Sequence, residues 1–156
     1  MHKLAIAMLV AFALAAFAAI PALAASGPPM TMTTHQHDTW SEWDTNPVTQ
    51  NDVWVTWDGN EVTHETFLAT GSGTYVITVT GTISFTDTVA NPDVTYTGRT
   101  TFHSTDKFSP GHDSGTSTLT VHAIGSDGTS VWGHETVRAT VDNGVVTVKF
   151  DKMRFD

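Results

Sequence analysis

Thr74–Phe85 reads TYVITVTGTISF, and this stretch decides the fold. Tyr75, Ile77, Val79, Gly81, Ile83 and Phe85 share one parity. Thr74, Val76, Thr78, Thr80, Thr82 and Ser84 share the other. A two-residue rhythm sends alternate side chains to opposite faces, so the segment is predicted to be an antiparallel strand with one buried and one wet face. The same bias runs outward in both directions. All 28 threonines lie beyond residue 30, and β-branched side chains suit a pleated surface and resist helix.

On the N-terminal side, Val53–Trp57 runs into Asp58-Gly59-Asn60, which reads as a turn, and Val62–Ala69 returns towards the turn Gly71-Ser72-Gly73. On the C-terminal side, Asn91-Pro92-Asp93 turns the chain into a strand with Val94, Tyr96, Gly98, Thr100 and Phe102 inward. Ser109–Gly115 reads as a longer loop, and Leu119, Val121 and Ala123 alternate beyond it. Ser126-Asp127-Gly128 and Asp142-Asn143-Gly144 read as tight hairpins, Asn-Gly being the strongest short signal for one. In Val145–Phe155, Met153 and Phe155 fall out of parity with Val146, Val148 and Phe150, which predicts a bulge near Asp151.

Seven strands result, eight if Trp40–Trp43 supplies another. Strands joined by short hairpins form a meander, and a meander leaves costly open edges unless it curls shut. The expected fold is an all-β, antiparallel up-and-down β-barrel of 7–8 strands, with a β-sandwich as the alternative. Gly81 and Gly98 are where a barrel wall would bend.

The chain begins with a different kind of segment. His2 and Lys3 precede an apolar run from Leu4 to Ile20, Pro21 ends it, and Ala22-Leu23-Ala24 offers small residues at a cleavage site. Residues 1–24 therefore read as a secretory signal peptide cleaved near Ala24, which places the product outside the cytoplasm. Residues 25–47 read as a flexible tether, because Gly27-Pro28-Pro29 and the following Met-, Thr- and His-rich stretch hold no sustained period. Trp40 and Trp43 are expected to dock on the domain, which covers residues 48–156.

Without residues 1–24, six basic residues face sixteen acidic ones, a net charge of −10 with His neutral. Such a surface repels phosphate backbones and anionic lipid, so neither nucleic acid nor, after cleavage, a membrane is an expected partner. Zero cysteines exclude thiol chemistry and Cys-ligated metal, and leave stability to core and hydrogen bonds. No cofactor is implied.

His64-Glu65-Thr66-Phe67-Leu68-Ala69-Thr70 recurs as His134-Glu135-Thr136-Val137-Arg138-Ala139-Thr140, with five of seven positions identical. Parity in the second copy puts Glu135 inward with Val131 and Val137 and His134 outward, and the first copy predicts the same for Glu65 and His64. The C-terminal stretches Gly125–Thr129, His134-Glu135-Thr136, Asn143-Gly144 and Phe150–Phe155 resemble small exported β-barrel proteins of actinobacteria. That resemblance covers about 40 residues and implies a fold and a location, with no activity attached.

Two carboxylates projecting inward, Glu65 and Glu135, are candidate catalytic groups. Desolvation raises a carboxyl pKa, and such a pair can act as acid and base. Tyr75, Ile77, Val79 and Tyr96 join them as candidate ligand-binding residues of the interior. His103, His122 and His134 fall on outward faces and are candidate metal ligands, and His35-x-His37 in the tether is another. No G-x-S-x-G, H-E-x-x-H, Walker or EF-hand signature occurs. The reading that follows is an exported binding module for a small apolar ligand or a surface partner such as a cell-envelope component. Its alternatives are an isomerase- or cyclase-like barrel enzyme using the inward Glu pair, and a structural or adhesive envelope protein.

Overall fold

The computed structural model describes residues 27–90, 92–150 and 154–155. The signal-peptide reading of residues 1–24 and the bulge near Asp151 lie outside them. Every described element is a strand: β1 (Met30–Thr45), β2 (Asp52–Phe67), β3 (Gly73–Asp87), β4 (Val94–Ser109), β5 (His112–Gly125), β6 (Ser130–Asp142), β7 (Val145–Phe150) and β8 (Arg154–Phe155). They form one antiparallel sheet in the order β1 to β7, with β8 beside β6. This is the up-and-down meander expected from the hairpins. Among the described residues β1 and β7 do not pair, so the ladder is open along that seam.

The inner face is nonetheless dry at one end. Val53, Val55, Phe85, Val94, Tyr96, Ala123 and Val131, drawn from β2 to β6, form one core cluster, and Tyr96 is only 1% exposed. A flat single sheet would leave one such face in water, so the sheet must curl over itself. Large and small residues meet across its rungs. Tyr96 lies opposite Gly125 and Phe108 opposite Gly73. The Trp57 indole lies over the Gly59–Gly81 pair, where a Cβ at Gly59 would come within 2.4 Å of the ring and one at Gly81 within 2.6 Å.

Three sequence expectations are corrected. The stretch read as a flexible tether is largely β1, paired residue for residue with β2 from Met30↔Phe67 to Thr45↔Asp52. Met30–Thr39 is exposed on both faces, so it carries none of the apolar alternation by which a strand is recognised. Asp58-Gly59-Asn60 is not a turn; β2 runs through it, because Gly59 is needed beneath Trp57. The long loop at Ser109–Gly115 contracts to Pro110-Gly111, with Gly111 in the left-handed region at φ 77° and β5 starting at His112.

The remaining turns follow their chemistry. Asn143 and Gly144 take φ of 49° and 84°, the pair of positive values a two-residue primed hairpin requires. Between the pairs Val137↔Phe150 and Gly133↔Phe155, β6 advances four residues and the final strand five.

Candidate functional site

The interior divides into an apolar end, described above, and a polar end. On β2 the inward positions after Gly59 are Glu61, Thr63 and Glu65. Glu65 faces Tyr75, Tyr75 faces Asp106, and Asp106 faces Gly115, a continuous row across four strands. Asp106 is 5% exposed and its carboxylate fills the space a side chain at Gly115 would need. The Ser104 hydroxyl donates to Asp106 at 3.1 Å and lies 2.9 Å from the Ser117 hydroxyl, both serines being buried.

Burial pushes the Asp106 carboxyl above its ordinary value, with the Ser104 bond opposing. Burial likewise raises the Tyr75 phenol; a bond with Thr63 opposes it, and the charges of Glu65, Glu61 and Asp106 add to the rise. Extending the inward parity Val94–Phe102 by two more steps reaches Ser104 and Asp106, so the sequence held a signal for both.

Glu65 and Glu135 both have inward parity, as the echo predicts, and Glu135 is 2% exposed. The sheet does not place them on one rung. The row of Glu65 passes through Tyr75, Asp106 and Gly115 to Ala139, whereas Glu135 sits opposite Leu119. Of the candidate ligand-binding residues, Tyr75 joins Glu65, while Ile77 lies beside Thr63 and Val79 beside Glu61. Tyr96 belongs to the apolar end, stacked on Phe85 at 4.8 Å and accepting from the Thr129 hydroxyl at 3.0 Å.

The outward histidines share one device. His64, His103 and His134 each place Nδ1 near a threonine hydroxyl of the preceding strand: Thr33 at 2.8 Å, Thr78 at 3.1 Å and Thr120 at 3.1 Å. The echo is therefore structural: both copies turn Glu inward and anchor His outward in the same way. His134 also stacks on Trp132, and His122 sits opposite Trp132. His103 lies on the rung of Thr118 and His122 on that of Arg99, so the three histidines do not converge. Among the described residues no group of three or more His, Asp or Glu side chains is placed to hold a metal ion.

A groove of about 410 Å³ lies on the outer side of β1–β3. It is built on two complete rungs, Thr39–Asp58–Thr82 and Ser41–Thr56–Ser84, with Trp40 and Trp57 also lining it. Thr56 donates to the Ser84 carbonyl at 3.2 Å and Thr82 to the Asp58 carbonyl at 3.4 Å. One same-face step along, Trp43 and Trp54 face each other edge to face at 5.4 Å, 62% and 47% exposed. On the other side His37 Nε2 lies 3.9 Å from Asp58, and its Nδ1 lies 3.3 Å from the Asn60 amide oxygen.

Sequence reasoning missed this site because one wall of it, Thr39, Trp40 and Ser41, lies on β1. It also missed the buttress beside it. Asp87, 0% exposed, accepts from Asn46 and Asn51 at 3.0 Å, from the Thr49 hydroxyl, and from the Val89 and Ala90 amides at 3.1 and 3.2 Å. The chain 46–51 that it holds is the connection from β1 to β2.

Comparison with protein families, curated proteins and solved structures finds no match to this chain.

Proposed function

We propose that this chain is an exported, non-enzymatic binding module that engages a surface partner, such as a cell-envelope component, through the outer face of β1–β3. The observation that carries the reading is the groove on two full rungs beside an exposed tryptophan pair. Large exposed aromatics mark interaction surfaces, and ligands bind in concavities where aromatic side chains meet a few convergent polar groups. Of the side chains proposed for an interior ligand, Ile77 is 4% and Tyr96 1% exposed, while the β1–β3 face presents its aromatics to solvent. The Glu pair needed by an enzyme lies on separate rungs. Export is supported by the signal-peptide pattern of residues 1–24.

The test fills the groove without touching the core. Ser84→Trp should abolish retention of the purified protein on isolated cell-envelope material while leaving its melting temperature near that of the parent. Undiminished retention would remove the reading. Export is checked by the mass of the mature protein, expected to begin at Ala25.

A further inference from the structure

We infer that the β1–β3 groove binds a carbohydrate, a chain of neutral pyranose rings. This rests on the reading of that face as the binding surface and names its ligand. A pyranose has an apolar C–H face and a rim of hydroxyls that both donate and accept. The groove presents the complement of each. Trp43 and Trp54, packed edge to face, expose indole surface to water at the groove's end, apolar surface with few rotatable bonds on which one ring face can stack. Beside it stand five hydroxyls, Thr39, Ser41, Thr56, Thr82 and Ser84, and the Asp58 carboxylate.

The hydrogen-bond accounting favours hydroxyl ligands. Thr56 and Thr82 give their protons to main-chain carbonyls, so their oxygens present lone pairs outward, and Asp58 adds an acceptor. Sugar hydroxyls supply the matching donors. Dimensions agree as well. From Trp54 to Asn60 the indole surface and polar rungs run about 20 Å along β2, room for several rings, and the groove volume falls in the range of small-ligand sites. Charge selects the class: with a net charge of −9 on the whole chain and Asp58 within the groove, acidic glycans and phosphate-bearing lipids are repelled.

The experiment is a titration with cellohexaose, N-acetylchitohexaose and hexagalacturonate, followed by tryptophan emission and calorimetry. A neutral hexaose should bind saturably and hexagalacturonate should not. Trp54→Ala should weaken binding about tenfold, the size of one lost stacking contact. Thr82→Val, which keeps the shape and removes a hydroxyl, should weaken it about fivefold by the loss of one hydrogen bond. No saturable response to either neutral hexaose at millimolar sugar, binding of hexagalacturonate alone, or binding indifferent to Trp54→Ala would overturn the inference. Retention on envelope material separates the two readings. If Ser84→Trp abolishes retention but neutral hexaoses neither bind nor compete, the ligand class falls and the surface reading stands. If retention ignores Ser84→Trp, both fall.

Discussion

Asn46 and Asp87 are each 0% exposed, 41 residues apart, and joined by a 3.0 Å hydrogen bond from the Asn46 amide to the Asp87 carboxylate. This bond ties the β1–β2 connection to the end of β3 and closes the apolar end of the interior. Among the described residues no cation pairs with this carboxylate; amides and a hydroxyl hold its charge instead. A buried charge is stable on those terms only if the donors are all present.

Removing that carboxylate should therefore be expensive. Asp87→Ala strands several buried donors, and a loss of about 3 kcal/mol is expected from the usual cost of unmaking bonds to a charged group. Urea denaturation measures it. Asp87→Asn, which sets an amide against amide donors, should also destabilise. A change within error for either variant would contradict the buttress.

Asp87 also fixes the acid limit. The Thr49 hydroxyl bond, with those of Asn51, Val89 and Ala90, outweighs desolvation and lowers its pKa from 3.8 to about 2. The folded state thus holds the carboxylate more tightly than the unfolded chain does. Its contribution is fully present above about pH 4 and drains away as pH falls towards 2. A melting-temperature profile from pH 7 to pH 2 should show the drop in that window, and Asp87→Asn should flatten it.

Asp106 carries the opposite sign. Burial raises its pKa, so the folded protein favours the protonated form and stability falls as pH rises from 3.8 through the raised value. Asp106→Asn should raise the melting temperature at pH 7, where the parent holds an ionised buried carboxylate. Below pH 3.8, where the parent is already protonated, the gain should vanish.

The alternation in Thr74–Phe85 made all but the ends of β3 legible, and the same rhythm gave the inward sets of β4, β5 and β6, because a strand with one buried face writes that face at every second residue. The Asn143-Gly144 hairpin was legible because its backbone needs residues that tolerate positive φ. Other features depend on distant chain. Met30–Thr39 is exposed on both faces, so burial writes no pattern there. Asp58-Gly59-Asn60 has the local chemistry of a turn, overridden by Trp57 lying on Gly59 and Gly81. The Asp87 cluster draws Asn46, Thr49 and Asn51 from 36 to 41 residues away, a separation no local reading reaches. Of the candidate site, Trp40 and Trp43 were expected to dock; Trp40 stacks on Trp57 at 6.1 Å, whereas Trp43 meets Trp54 at 5.4 Å and stays 62% exposed. The groove between them needed the register of β1.

The glycines beneath Trp57 give a test of that register. Gly81→Ala sets a methyl within 2.6 Å of both the indole and the Asp58 carbonyl. Overpacking of this kind costs about 1–3 kcal/mol. Because the Gly59–Gly81 pair is next to the Thr39–Asp58–Thr82 rung that lines the groove, the variant should lose glycan affinity as well as stability. Denaturation and the cellohexaose titration read the two effects separately.

Everything about the groove depends on Met30–Thr45 being a strand on β2, and hydrogen exchange of those amides by NMR tests this most directly. Alternate amides in Met30–Thr45, those directed at β2, should be protected well above unstructured chain, most strongly near Trp40 and Trp43. Free exchange of every amide from Met30 to Thr45 would make the segment a tether, dissolve the groove, and contradict the account.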